Sequence, residues 1–84
     1  MLKEYIQAAL KYAVFNPMEG EFFCYVPQLQ GAWAKGPTQA QCLIELGEVL
    51  EEWILFGLKM GQSIPTIDGL NFEFVEMSDE VEAA

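Results

Sequence analysis

Between Pro37 and Gly61 the chain has no proline, and its helix start and stop signals fall at the two ends. Thr38 with Gln41 forms a T-x-x-Q capping box, in which side chains satisfy the first orphan N–H groups of a helix. At the other end Lys59 precedes Gly61, the residue type that closes helices in a left-handed conformation. One helix of about six turns is therefore predicted from Thr38 to Met60, and the rest of an 84-residue chain must be arranged around it. Turned at about 100° per residue, Leu43, Leu46, Val49, Leu50, Trp53, Ile54 and Gly57 share one wide stripe, which should cover a sheet. Ile44 and Leu55 project about 160 to 180° from Leu46, and Leu58 about 120°, where a soluble monomer places polar groups. These three are candidates for self-association. Gly47 and Gly57 each cost about 1 kcal/mol relative to Ala inside a helix, so they mark either close approach of another backbone or neutral drift.

Leu2, Tyr5, Ile6, Ala9, Leu10 and Ala13 recur at helical spacing with Lys3, Glu4, Gln7 and Lys11 opposite, which predicts an amphipathic first helix. The pattern gives way to a strand at Tyr12 to Phe15, ended by the turn signal Asn16-Pro17-Met18-Glu19-Gly20. Phe22, Cys24 and Val26 alternate with Phe23 and Tyr25 until Pro27, which lacks a ladder donor and closes the strand. Both faces of this strand are apolar. One should meet a helix, and the other is half-covered or kept for a partner. A third short strand is expected at Gly31 to Lys35. After the Asp68-Gly69 turn, Leu70, Phe72 and Phe74 alternate with Asn71, Glu73 and Val75, predicting a fourth strand. The order α-β-β-β-α-β implies an α+β fold: a three-stranded antiparallel meander, a fourth strand at one edge, and the long helix on one face. A single domain is expected over 1–77. Asp79, Glu80 and Glu82 lie among small residues in an acidic tail, 78–84, expected to be disordered.

The chain carries 13 acidic residues against 4 lysines, with no Arg and no His, a net charge of −9. So few cations cannot neutralise phosphates, and direct binding to DNA or RNA is not expected. Without imidazole, His-dependent triads and His-ligated zinc sites are excluded. A hydrophobic fraction of 52% is ample for folding, yet no apolar run approaches the roughly 18 to 20 residues that cross a bilayer, and no signal segment opens the chain. A cytoplasmic protein without membrane contact is expected. Excess negative charge suits a basic protein partner, or serves solubility alone. A domain this small has a modest core, which favours a homo-oligomer, a dimer or a tetramer. Cys24 and Cys42 lie in different elements without Cys-x-x-Cys spacing and read as reduced, buried small hydrophobes.

Glu45, Glu48, Glu51 and Glu52 occupy the outer side of the long helix, and like charges at i, i+3 and i, i+4 repel by a few tenths of a kcal/mol each. Either a cationic partner or solvent screening compensates. A metal-dependent hydrolase needs two or three converging carboxylates. Here only Glu21 and Glu73 are associated with strands, so catalysis is not expected, and neither is a metal or cofactor. Gly31-x4-Gly36 is not followed by the Gly-Lys-Ser/Thr of a phosphate loop. Trp33 and Trp53 are core aromatics or interface anchors.

The ordered series Tyr25-Val26-Pro27-x-Leu29-x-Gly31-x-Trp33-Ala34-x-Gly36-x-Thr38, then Glu45-Leu46-x-Glu48-Val49-Leu50-Glu51-x-Trp53, then Gly61-x-x-Ile64-Pro65, resembles the HicB-like antitoxin family. The opening Tyr5-Ile6-x-Ala8-Ala9-Leu10 looks like its short subgroup with an N-terminal helix, so the resemblance spans about residues 5 to 70. It implies a partial ribonuclease-H-like fold and a non-catalytic protein that binds and masks HicA, a small basic toxin that cleaves mRNA with a catalytic His. The family lacks the ribonuclease H carboxylate cluster, as does this chain, so nuclease activity is not implied. Many members also carry a C-terminal DNA-binding domain. Fewer than 25 acidic-rich residues follow the long helix here, so operator binding would need another protein. Pro27, Gly31, Gly36 and Thr38 have turn, strand and capping roles. The candidate partner contacts are Glu21, Tyr25 and Trp33 near the sheet surface and Glu45, Glu48 and Glu52 on the helix. The alternative readings are an orphan oligomeric domain, a small-molecule-binding domain in the cleft between helix and sheet, and a metal-dependent hydrolase using Glu21 and Glu73.

Overall fold

In the computed structural model, which describes residues 2–72, the elements run α1 (Leu2–Leu10), β1 (Val14–Met18), β2 (Glu21–Tyr25), β3 (Trp33–Gly36) and α2 (Gln39–Lys59). Both ends of α2 are closed by the residues that signal them. Thr38 is extended, at φ −134°, and its hydroxyl accepts from the Gln41 N–H at 3.0 Å. Gly61 takes φ +75°, and the N–H groups of Gly61 and Gln62 donate to Leu58 and Gly57 carbonyls at 3.1 and 2.9 Å, satisfying the last turn.

The three strands form an antiparallel meander in the order β1-β2-β3. Val14 stands opposite Tyr25 and Met18 opposite Glu21; Tyr25 also faces Trp33, and Phe22 faces Gly36. Cys24, Ala34 and Gly36 turn inward, and α2 lies over β2 and β3 with Cys42, Leu46, Leu50, Ile54 and Gly57 buried against them. Of the predicted stripe, Leu46, Leu50, Ile54 and Gly57 are buried and Leu43, Val49 and Trp53 half-buried, and Cys42 joins the buried set. The closest approach at any glycine is at the end of β3. A Cβ at position 36 would stand 2.7 Å from the Cys42 nitrogen and 3.0 Å from its Cα, so only glycine lets the strand end meet the first turn of α2.

α1 packs beside α2 and is tied down by the segment returning after it. Tyr5 is fully buried; its hydroxyl donates to the Pro65 carbonyl, and its ring lies 5.0 Å from that of Phe72. Asp68 and Gly69 both have positive φ, 51° and 78°, in a tight turn that pairs Ile67 with Leu70. Asp68 accepts from the Tyr12 hydroxyl and forms an ion pair with Lys11 at 2.9 Å, which fastens the turn to the end of α1.

Several boundaries differ from the sequence reading. β1 begins at Val14 and runs through Asn16 and Pro17 to Met18, leaving a turn of only Glu19 and Gly20. β1 is an edge strand, so the missing N–H of Pro17 is tolerated there. Tyr12 belongs to the turn after α1. β3 starts at Trp33 rather than Gly31, because Gly31 takes φ +95° in the preceding turn. Of the predicted fourth strand, Leu70 to Phe72 form no strand and Glu73 to Val75 lie outside the described residues, as does the tail from Ser78. The helix glycines do not admit another backbone. Side chains approach them instead: Leu10 at 3.6 Å from a Cβ at position 47, and the flexible tip of Ile64 at 2.9 Å from one at position 57.

Two outcomes follow from these geometries. Gly47→Ala should stabilise the fold by up to about 1 kcal/mol through helix propensity, since its Cβ makes only an ordinary contact. Gly36→Ala should destabilise it by about 1 to 3 kcal/mol, because backbone cannot yield as a side chain can. Thermal unfolding monitored by circular dichroism should show shifts of opposite sign; equal shifts would contradict the packing at Gly36. The second outcome concerns pH. The Tyr12 hydroxyl, then Lys11, hold the Asp68 carboxyl below its ordinary 3.8, and Asp68 raises Lys11 above its ordinary 10.5. A depressed carboxyl contributes stability present above its unfolded value and lost as pH falls through the folded one. A raised lysine contributes stability present below its unfolded value and lost as pH climbs through the folded one. In melting curves from pH 2 to 11, Asp68→Asn should lose part of the decline below about pH 4 and part of the alkaline decline, and an unchanged profile would exclude this tie.

Candidate functional site

Because α2 packs on the inner side of the sheet and α1 packs beside α2, the outer side of the sheet has no covering layer among the described residues. Side chains alternate along a strand, so with Cys24 turned inward Glu21, Phe23 and Tyr25 face outward. Residues paired across an antiparallel sheet share a face, which adds Val14, Asn16 and Met18 from β1, and Trp33 and Lys35 from β3. Phe23 is the centre of an aromatic row: its ring lies 5.5 Å from Trp33, nearly parallel at 26°, and 5.8 Å from Tyr25. Trp33 is 51% exposed and Met18 49%. At the loop end these rings border an open hollow of about 450 Å³, completed by Pro27, Leu29 and Gly31. The charges on the face are one of each sign, Glu21 and Lys35, 3.9 Å apart.

A second surface lies on the opposite side of the molecule. The outer side of α2 carries Glu48, Glu51 and Glu52 exposed and Glu45 half-buried, and none of these four forms an ion pair among the described residues. Ile44, Leu55 and Leu58 are exposed between them, at 57%, 51% and 39%. The six candidate contacts therefore divide into two groups. Glu21, Tyr25 and Trp33 come together on the sheet; Glu45, Glu48 and Glu52 come together on the helix, with the whole sheet and the buried face of α2 in between.

Sequence reasoning missed the part played by Phe23 and Lys35, and the exposed Phe56 and Met60 on the flank of α2. Strand alternation around Cys24 carried the signal for Phe23. Lys35 needed the β2–β3 register, which places it directly opposite Phe23. Phe56 sits about 280° from Leu46 on the helical wheel, beyond the stripe that the sheet can cover. The space between helix and sheet, expected as a ligand cleft in one of the alternative readings, is filled by the core side chains of both layers.

No chemistry is assembled around the cysteines. Both are free and fully buried. Cys24 Sγ donates to the Cys42 carbonyl at 3.4 Å, and Cys42 Sγ lies 3.5 Å from the carbonyls of Phe22 and Ala34. Burial, reinforced by Cys42, pushes the Cys24 thiol up to about 12, away from the thiolate a nucleophile needs. Among the described residues no three His, Cys, Asp or Glu gather as a metal set, and no helix is long and apolar enough to cross a membrane. Glu73, the second acid of the hydrolase reading, lies outside the described residues.

The family model described as UPF0150-like matches residues 4–65, and the chain belongs to this family, which is related to the HicB-like antitoxins. Among solved structures it is similar to the crystal structure of TTHA0281 from Thermus thermophilus. The two are 30% identical with a TM-score of 0.76, over 86% of this chain and 91% of that one. No curated protein matches.

Both thiols should resist alkylation at pH 8 in the native state and react at the rate of global unfolding, a slowing of at least about 10³-fold relative to the denatured chain. Rapid native labelling of Cys24 would contradict its burial.

Proposed function

We propose that this chain is a non-catalytic, HicB-like antitoxin domain that binds and masks a basic HicA-type mRNA-cleaving toxin. The observation that carries this reading is the outer face of α2, where Glu45, Glu48, Glu51 and Glu52 stand along two turns with no ion-paired cation among the described residues. Like charges at this spacing destabilise the free helix by a few tenths of a kcal/mol per pair, and a cationic surface reverses that term on binding. Within a net charge of −9, such a face also steers encounter with a basic protein and rejects acidic ones. Ile44, Leu55 and Leu58 between the acids supply the apolar area that charge pairs alone lack. Membership of a family related to HicB-like antitoxins supports the same reading, and the meander under a long helix is compatible with the partial ribonuclease-H-like arrangement that such a domain implies. Inhibition is steric and electrostatic: the acidic face occupies the cationic surface the toxin needs for RNA.

The test is to mix the purified chain with a candidate basic ribonuclease from its own gene neighbourhood, following complex formation by light scattering together with RNA cleavage. A complex with cleavage abolished is expected. Its affinity should fall steeply with added salt, and Glu48→Lys combined with Glu52→Lys should weaken it at least about tenfold, mainly through the association rate. No binding at micromolar concentrations with cleavage unchanged would reject the reading for that pair. Binding untouched by the double reversal would remove the helix face from it.

A further inference from the structure

At the loop end of the sheet's outer face, Phe23, Tyr25 and Trp33 border an open hollow of about 450 Å³ whose remaining wall is the turn from Pro27 to Ala32. That turn is held in place by the fold. The Leu29 N–H donates to the Val26 carbonyl at 2.9 Å and the Ala32 N–H to the Leu29 carbonyl at 3.4 Å, and the side chains of Val26, Leu29 and Ala32 are buried. The volume is that of a preformed ligand site, but the hollow is open, so it covers one side chain better than it encloses a free molecule. No charged residue lines it. Its polar side-chain groups are the Tyr25 hydroxyl, the Gln30 carboxamide and the Trp33 indole N–H, none of which takes part in the hydrogen bonds among the described residues.

This lining selects among occupants by charge and hydration. An anion meets no cation in it, on a chain of net −9. A metal ion meets no carboxylate, and a lysine ammonium keeps its water more firmly than a guanidinium does. A guanidinium is planar, permanently charged and weakly hydrated; it stacks on aromatic faces, tryptophan best, and directs its N–H groups outward in its own plane. Trp33 is half-exposed for such a contact, and the Tyr25 hydroxyl and Gln30 carbonyl are acceptors at the same hollow. The chain cannot supply this group itself. It has no Arg, and Lys35, the one cation of the face, lies at the other end of the row, opposite Phe23 and paired with Glu21 at 3.9 Å. We propose that the hollow between the aromatic row and the turn from Pro27 to Ala32 is a binding site for an arginine side chain carried by a second, basic polypeptide. The negative field of the chain draws such a polypeptide in, and the rings distinguish its arginines from its lysines.

The site lies across the sheet from the acidic side of α2 and does not rest on the toxin-masking reading; its test contains no toxin, so either can fail alone. Acetyl-arginine amide is titrated into Trp53→Phe, where Trp33 is the remaining tryptophan and reports through its emission. A saturable change at millimolar concentrations is expected, at least about threefold weaker with acetyl-lysine amide and lost with acetyl-citrulline amide, which keeps the planar shape without the charge. A short peptide with one arginine among neutral residues should bind at least as tightly as the amide. Trp33→Ala, followed by the Gly31 backbone amide signal in nuclear magnetic resonance, should weaken binding at least about tenfold while keeping the helical circular dichroism of the native chain. No saturable response to the arginine amide up to about 50 mM overturns the proposal. So does an equal response to the citrulline amide, an unchanged affinity in folded Trp33→Ala, or a peptide that binds more weakly than the free amide. The emission titration decides the matter even if Trp33→Ala fails to fold.

Discussion

The structure depends on how closely α2 can lie on the sheet. Where β3 ends, Gly36 meets the backbone of Cys42 at a distance that no Cβ allows, and behind that point Cys24, Ala34 and Cys42 form a layer of small side chains between helix and strands. Small residues there lower the helix onto the sheet, so that Leu46, Leu50 and Ile54 reach the core fully buried. The buried thiols follow from the same constraint: each is a side chain of the right size, with its weak hydrogen bonds directed at carbonyls of the opposing layer.

Laying α2 on one side of a three-stranded sheet, with α1 beside it, determines what is left for function. The inner face is closed. Among the described residues the outer face is bare, and it carries the row of Phe23, Tyr25 and Trp33. The acids gather on the side of α2 away from the sheet, with Glu51 bordering α1. The protein thus presents two chemically distinct sides, one neutral and aromatic, the other strongly negative.

Much of this was legible in the chain because it rests on local chemistry. The capping box at Thr38, the glycine stop at Gly61 and the stripe from Leu43 to Gly57 each act within a few residues, and α2 formed where they indicate. The exposure of Ile44, Leu55 and Leu58 followed from the helical wheel alone. β2 was equally readable, since Pro27 can end a strand without reference to anything distant. Pro17 was not. Whether a proline ends a strand or continues it depends on which edge of which sheet the strand occupies, and that is settled by pairing with β2. Gly31 read as strand for a similar reason, since nothing local signals its positive φ.

What the sequence determined by itself was therefore the existence of both helices and the ends of α2, the antiparallel meander, and the excess of negative charge, all properties carried by neighbouring residues. What only the tertiary structure decided was which side chains share a surface. Glu21, Tyr25 and Trp33 were brought into one row around Phe23 by strand register, and were separated from Glu45, Glu48 and Glu52 by the thickness of the sheet and helix together. Register and layer order arise from contacts between residues far apart in the chain, each satisfied only when the whole core closes. The spacing of residues along the sequence holds no record of them.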